Sequence, residues 1–416
     1  MNTRLMMFSA VALGCSTSAA HADFIKDSKA SLDLRNFYLN QDQRQSNAPH
    51  KAEEWVQGFQ LRFESGYTGG PVGVGVDAIG LLGLKLDSSP DRATTGLLKR
   101  GSDGRAKDEY GELGLTAKVR VSRTTLKSGT LQPKVPVVQI NDSRLQPQLF
   151  RGTWLNSAQV EGLSLDAARL EKVNQRDSSD YEDLQLNTGV KRNVRVTGSP
   201  TANHFDFAGG TYQWNKSLST SYYYGNLENF YRQHFLALQY QVPLSDKSSL
   251  KADLRWADSN GGSASNIDNQ VLNGMLTYRN GGHALGLGYQ QMKGETGFAT
   301  IRGADPYLVN FVQISDFANK DEKSWQVRYD YDFASLGIPG LTFMTRYLYG
   351  SDIDTLLPGG SGNGRERERD MDLGYVIQSG PLKNLGIKWR NAALRSNFDR
   401  AIDENRLIVS YSLPLW

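Results

Sequence analysis

From about residue 29 to the end, apolar and polar side chains alternate with a period of two, in stretches of roughly ten residues. In Trp325-Gln326-Val327-Arg328-Tyr329-Asp330-Tyr331-Asp332-Phe333, one face reads Trp, Val, Tyr, Tyr, Phe and the other Gln, Arg, Asp, Asp. Leu250, Ala252, Leu254 and Trp256 alternate with Lys251, Asp253 and Arg255. Leu385, Ile387 and Trp389 alternate with Gly386, Lys388 and Arg390. Leu407, Val409, Tyr411, Leu413 and Leu415 alternate with Arg406, Ser410 and Ser412. No helical period persists. Successive side chains of a strand point to opposite faces, so each stretch reads as a strand with one apolar and one polar face.

A soluble sandwich and a membrane barrel share this local pattern. Connection lengths separate them, because membrane barrels pair short periplasmic turns with long outer loops. Strands are expected near 29–39, 54–65, 71–86, 110–122, 124–131, 149–157, 159–171, 203–214, 217–225, 230–243, 248–258, 269–279, 283–291, 324–333, 341–349, 369–378, 385–395 and 404–415, an even set of 18. Connections after odd strands include 40–53, 87–109, 132–148, 172–202, 292–323 and 350–368, all long and polar. Those after even strands are mostly a few residues, as at 215–216, 244–247 and 280–282. A sandwich has no reason to sort its loops by parity. The expected fold is therefore all-β, an 18-stranded antiparallel transmembrane β-barrel. Barrels of this size leave an aqueous channel. The chain closes on Tyr411-Ser412-Leu413-Pro414-Leu415-Trp416, a terminal aromatic of the kind that marks outer-membrane barrels, although Trp416 falls one residue out of frame with the apolar face.

Composition agrees. Among 416 residues, 47 are Lys or Arg and 44 Asp or Glu, a balance without a nucleic-acid footprint. No 18-residue apolar run exists beyond the first 22 residues, which excludes membrane-spanning helices. At the N-terminus, Arg4, the apolar stretch Leu5 to Gly14 and Ala20-His21-Ala22 form a secretory signal. Residues 1–22 are expected to be removed, leaving 23–416 as one barrel domain. A lipoprotein attachment at Cys15 is the rival, with Ala12 where a lipobox wants Leu. Cys15 is the only cysteine, so the mature chain has no disulfide to hold it. A closed hydrogen-bonded sheet in lipid supplies that stability instead.

Several stretches resemble the OprD-type family of outer-membrane carboxylate channels. They are Phe24-Ile25-Lys26-Asp27-Ser28-Lys29-Ala30 followed by Leu34-Arg35-Asn36-Phe37-Tyr38, then Gly75-Val76-Asp77-Ala78-Ile79-Gly80 running into Lys85-Leu86-Asp87-Ser88. Pro136-Val137-Val138-Gln139-Ile140-Asn141-Asp142-Ser143-Arg144-Leu145-Gln146-Pro147 is close to the family's pore-constricting loop. Gly225-Asn226-Leu227-Glu228 to Tyr231-Arg232-Gln233-His234-Phe235, and Gln378-Ser379-Gly380-Pro381-Leu382-Lys383-Asn384, follow in order. The resemblance implies an 18-stranded monomeric pore, sometimes packed as a homotrimer. It also implies selectivity for small carboxylates along a ladder of basic side chains. Aromatic acids of the benzoate type are favoured; basic amino acids are the alternative.

The residues support a ladder independently. Alternation puts Arg35, Lys118, Arg120, Arg328, Arg346, Lys388, Arg390 and Arg406 on the polar faces of their strands. Strands carrying Lys388, Arg390 and Arg406 would close against the one carrying Arg35. A guanidinium offers a planar fork that fits a carboxylate and keeps its charge. The rival is pairing within the lumen, as of Arg328 with Asp330 or Asp332. In loop 132–148, Pro133, Pro136 and Pro147 resist sheet pairing, and the apolar run Val135 to Ile140 is odd for a solvated loop. Folding inward would bury that run and bring Asn141, Asp142, Ser143 and Arg144 to a constriction. Tyr307-Leu308-Val309-Asn310-Phe311-Val312 suggests the same for loop 292–323. The run Arg365-Glu366-Arg367-Glu368-Arg369-Asp370 reads as the solvated tip of a long hairpin.

No catalytic constellation is present. The histidines are few and scattered, no metal spacing or G-x-S-x-G occurs, and neither cofactor nor metal is expected. The expected function is passive diffusion of small carboxylates across a Gram-negative outer membrane, among its lipid and lipopolysaccharide. A barrel enzyme and a soluble exported glycan-binding sandwich are the rivals from other classes.

Overall fold

The computed structural model describes residues 24–44, 50–189, 192–355 and 362–416. The signal segment lies outside the described residues. Eighteen strands form the wall: β1 Lys29–Arg44, β2 Lys51–Glu64, β3 Val72–Asp87, β4 Glu109–Val121, β5 Thr124–Leu131 and β6 Leu149–Ser157. They continue as β7 Leu163–Asn174, β8 Phe205–Gln213, β9 Leu218–Leu227, β10 Tyr231–Ser245, β11 Ser248–Gly261 and β12 Asp268–Asn280. The last six are β13 His283–Lys293, β14 Lys323–Asp332, β15 Leu341–Ile353, β16 Gly364–Val376, β17 Gly386–Ser396 and β18 Ala401–Pro414.

Each strand pairs antiparallel with its chain neighbours, and β18 returns to β1 in continuous register from Ser31↔Pro414 to Arg44↔Ala401. The sheet therefore has no free edge, and its backbone donors and acceptors are satisfied in lipid. The outward face carries exposed Leu61, Val74, Leu113, Leu165, Leu254, Leu287, Val327, Ile387 and Leu407, among others. In water such a surface would be an aggregation liability; against acyl chains it is the solvated state. Trp214, Tyr240, Tyr278 and Tyr375 ring its short-turn end, and Trp55, Tyr289 and Trp325 lie toward the long loops.

All 18 expected strands exist, with shifted ends. β1 runs to Arg44 and β16 begins at Gly364, well beyond the expected limits, so the connections 45–50 and 354–363 are shorter than read. Above the hydrocarbon the outward face meets water, and alternation of polarity no longer marks the strand. β7 starts at Leu163 because residues 158–162 form a turn ending on Gly162 at φ 76°. Loops after β9 and β11 are short although they follow odd strands, so the parity rule holds for the major loops only.

Loop side chains pack against the inner wall of the lumen. Val135, Val137, Val138 and Ile140 are buried with Phe150, Phe205, Phe207, Tyr231 and Phe235 from the inner face of β6–β10. The loop is not free of sheet structure: Lys134-Val135 pairs with Val138-Gln139, with Pro136 in the two-residue turn. Proline suits that position because its φ is already set and its missing donor is not needed. A second cluster packs Leu145 with Phe37, Leu39, Val56, Leu97 and Leu98 against β1 and β2. Gly58 is required there, because a Cβ would stand 2.9 Å from Leu145 Cγ.

Each fully buried Val contributes about 1.5–3 kcal/mol. Val138→Asp is expected to destabilise the folded barrel by about 3 kcal/mol or more, since the carboxylate would find no partner there. The check is the temperature at which the compact, detergent-resistant form converts to the slower unfolded form in gel electrophoresis. An unchanged temperature would show that this loop segment is not packed in the lumen.

Candidate functional site

Two loops cross the lumen and meet. Residues 132–148 run from β5 to the β1–β2 wall, where Arg35 Nη1 donates to Arg144 O (2.7 Å) and Asp142 Oδ1 (2.8 Å), and Gln60 Nε2 donates to Leu145 O (3.3 Å). Residues 294–322 lie along the wall from β10 to β18. Gln239 Nε2 reaches Tyr307 Oη (3.4 Å), the Val309 N–H donates to Asn273 Oδ1 (3.1 Å) and Gln326 Nε2 donates to Val309 O (3.1 Å). Further on, the Ile314 and Ser315 N–H groups donate to Glu368 (2.8 and 2.7 Å), and Ser315 Oγ donates to Glu366 Oε1 (2.7 Å).

The loops touch where the Asp305 N–H donates to Gln139 O at 3.0 Å. They are joined again through Arg406 on β18, whose Nη1 donates to Ser143 O (3.3 Å) and Nη2 to Gln313 O (3.0 Å). Residues 139–143, residues 305–313 and Arg406 thus form a hydrogen-bonded ring inside the barrel. Apolar side chains pack behind residues 135–140 and Leu145, so the ring bounds the opening on that side.

Arg406 was expected as a rung of the ladder. It is only 1% exposed, and its Nε pairs with Glu404 at 2.5 Å. It acts as a brace for both loops rather than as an open binding group. The run 365–370 is likewise no solvated tip. It is strand, with Glu366, Glu368 and Asp370 buried inward and Arg365, Arg367 and Arg369 facing out. The strict alternation of sign was the signal for this. Read as a period-two pattern, it places three carboxylates inside, where they accept loop donors and pair with Arg346 (2.7 Å).

The other expected rungs are inward but distributed. Arg390 on β17 lies opposite Arg406 in register and pairs with Asp372 at 3.0 Å. Lys388, two residues nearer the short turns, is exposed and makes no ion pair or hydrogen bond among the described residues. Arg328 and Arg346 are register partners; Arg328 forks onto Asp330 (2.8 and 2.7 Å). Lys118 and Arg120 do not join this wall. They sit at the short-turn end of β4, Lys118 on Asp77 (2.5 Å) and Arg120 over the Tyr67 ring (4.1 Å). Pro136 lies away from the ring, on the buried hairpin.

Asn141, Ser143 and Arg144 gather a second guanidinium that sequence reasoning missed, Arg176 from the connection after β7. Its Nη1 donates to Asn141 Oδ1 (2.8 Å) and Ser143 Oγ (3.0 Å). Arg144 donates to Thr95 O (3.2 Å) and, at 3.4 Å, to the same Ser143 hydroxyl. Neither Arg144 nor Arg176 forms an ion pair among the described residues. Burial and the neighbouring Arg406 push the Arg144 guanidinium downward from its ordinary pKa, and burial does the same to Arg176. Nothing in the local sequence marks Arg176, because it acts across a long connection.

The chain matches the family model described as outer membrane porin, OprD family, over residues 22–415. It belongs to the OprD family of outer membrane porins. It is 38% identical to the porin-like protein GalP of Pseudomonas putida over 413 residues, covering 98% of this chain and 97% of GalP. The crystal structure of Pseudomonas aeruginosa OpdQ superposes with a TM-score of 0.88 at 61% identity, over 95% of this chain and all of OpdQ. Pseudomonas aeruginosa OpdK, solved with vanillate, superposes with a TM-score of 0.86 at 39% identity, over 94% of this chain and all of OpdK. The chain is a channel former of the Gram-negative outer membrane, not an enzyme.

Asp305 sits at the loop junction. Its pKa is raised to about 7, chiefly by burial, with Arg176 and Arg144 opposing and Asp142 adding to the rise. Above about pH 7 its carboxylate is ionised and adds a negative charge to the ring; below, that charge is lost. Anion-over-cation permeability is therefore expected to rise as pH falls from about 8 to about 6. Reversal potentials in a salt gradient across a planar bilayer check this. The Asp305→Asn protein should show the low-pH selectivity throughout, and an equal pH response in the variant would rule Asp305 out as its source.

Proposed function

We propose that this porin carries small carboxylates, with single-ring aromatic acids of the benzoate type favoured over basic amino acids. The observation that carries this reading is the set of cations around the crossing that lack an ion-pair partner. Arg144, Arg176 and Lys388 have no carboxylate partner among the described residues. Arg35 and Arg390 each face a single one, and both pairs remain open to the lumen at 25% and 22% side-chain exposure for the arginines. The vanillate held in the OpdK structure, itself an aromatic carboxylate, supports the same class.

An anion entering the ring loses part of its hydration and recovers it from guanidinium and ammonium donors. Several weak stations in sequence favour throughput, because each must also release the solute. No step needs a nucleotide, a metal or a conformational cycle.

Uptake into liposomes should therefore run benzoate above arginine and above a neutral sugar of similar size. Arginine leading the panel would assign the pore to basic amino acids instead, with Asp142 and Asp305 as the recognising groups.

Lys388 and Arg390 lie at i and i+2 on one strand, so both reach the lumen, while Ile387 and Trp389 face lipid. Replacing both with Gln removes two charges and leaves Asp372 unpaired, while keeping a polar, hydrogen-bonding side chain at each position. Water-exposed contacts of this kind are worth about 1 kcal/mol each. Benzoate flux should fall several-fold while potassium chloride conductance changes less. Unaltered flux, with normal insertion, would remove the pair from the pathway.

A further inference from the structure

Below loop 294–322 the wall contains a recess that none of the expected rungs except Arg328 touches. It lies against the inward face of β13, which presents Ala284, Gly286 and Gly288 in succession. Of these, Gly286 lines a trough between β12 and β14. A Cβ on Gly286 would already stand 3.2 Å from Met275 Sδ and 3.5 Å from the Arg328 Cβ. Leu308 and Val309 of the crossing loop roof the trough, Met275 forms one side, and the volume is about 290 Å³. The turns at 246–247 and 281–282 lie just beyond it, so the recess opens toward the periplasmic end, four to seven strands around the sheet from β18.

Its charge is unbalanced. Arg255 is neutralised by Asp253 (2.9 and 2.7 Å) and stacks on the Tyr307 ring at 3.7 Å. Arg328 is neutralised by Asp330 (2.8 and 2.7 Å). Lys251 and Arg279 also line the recess, and among the described residues neither makes an ion pair or a hydrogen bond. Their strands are adjacent, with Lys251 opposite Thr277 and Arg279 two residues further, so both heads belong to one mouth. Two open cations beside an apolar roof and a thioether match an anion with a flat apolar body.

We infer that this recess is a periplasmic-side resting site for the solute, taking an aromatic carboxylate with its charge on Lys251 and Arg279 and its ring against Met275, Leu308 and Val309. The inference rests on the carboxylate reading of the pore and adds a station on the periplasmic side of the ring, with which it shares Leu308 and Val309. A solute released from the ring would be held here before exit. Small aliphatic acids, lacking a ring, would gain only the charge contact.

The test uses full-length protein in planar bilayers, with benzoate, acetate or the neutral benzamide added from the periplasmic side and the current blockades timed. In Lys251→Gln/Arg279→Gln, benzoate dwell times should shorten roughly threefold to tenfold, the loss of one or two solvent-exposed charge contacts. Thr277→Phe, which fills the trough without changing charge, should shorten benzoate blockades to a similar extent and leave acetate within twofold of the parent. Both variants must retain heat-modifiable mobility. If the parent holds benzoate longer than benzamide but both variants behave like the parent, the recess is not a station, and the ring alone selects. If the parent treats benzoate and benzamide alike, the carboxylate reading itself fails, and with it this site.

Discussion

Closure of the sheet by β1 and β18 is the constraint on which everything else depends. In hydrocarbon an unpaired backbone N–H or C=O costs several kcal/mol, so a sheet with an edge cannot remain there. The register from Ser31↔Pro414 to Arg44↔Ala401 removes both edges at once. Because the side-chain period is two, that register also decides which residues see lipid and which see the lumen. A shift of one residue would place Arg35, Lys388 and Arg406 in hydrocarbon. Selectivity and insertion are therefore set by the same hydrogen-bonded ladder.

A barrel of 18 strands is too wide to discriminate among small solutes without internal structure. The two crossing loops narrow it, and polar groups hold them because loops carry many backbone donors and acceptors that burial would otherwise strand. Glu368 takes two consecutive loop N–H groups, Arg406 takes a carbonyl from each loop, and Arg35 takes two more carbonyls from residues 144 and 145. A buried Arg–Glu pair such as Arg406–Glu404 adds little net stability over an apolar pair of the same volume. Its value is directional: it specifies where the loops sit. Removing one partner would leave a buried charge, which costs about 3–5 kcal/mol.

The wall was legible in the sequence because lipid and water impose opposite demands on alternate residues. Trp325 to Phe333 and Leu407 to Leu415 declare their strands for that reason. The same cause explains where legibility fails. At residues 40–44 and 364–369 the strands rise above hydrocarbon, both faces become polar, and the pattern dissolves into what looks like loop. The inward folding of residues 135–140 was readable from an apolar run with no other place to go. Arg176, Asp305 and the Lys251–Arg279 recess were not, because each depends on contacts between segments far apart in the chain. That Arg406 braces rather than binds could not be seen either, since burial of one arginine among several inward-facing ones is decided by where the loops land.

Cations in this lumen thus divide by what surrounds them. Arg406, Arg346 and Lys118 are enclosed and matched by carboxylates, so they shape the channel. Lys388, Lys251 and Arg279 are open and unmatched, so they are free to meet a solute. Arg35 and Arg390 fall between: each holds one carboxylate while remaining reachable. On the proposed carboxylate reading, a solute anion would exchange with Asp142 or Asp372 on such a guanidinium at little net cost, because one anion replaces another and the charge is never left bare. Exchange of this kind would keep each station weak, which is what passive transport needs. A fully desolvated cation would hold its anion too long, and a fully hydrated one would not distinguish it from chloride. The half-matched arginine at the rim of a narrow ring is the compromise between those limits, and its energy scale, about 1 kcal/mol per exposed contact, is close to thermal energy at a few stations in sequence.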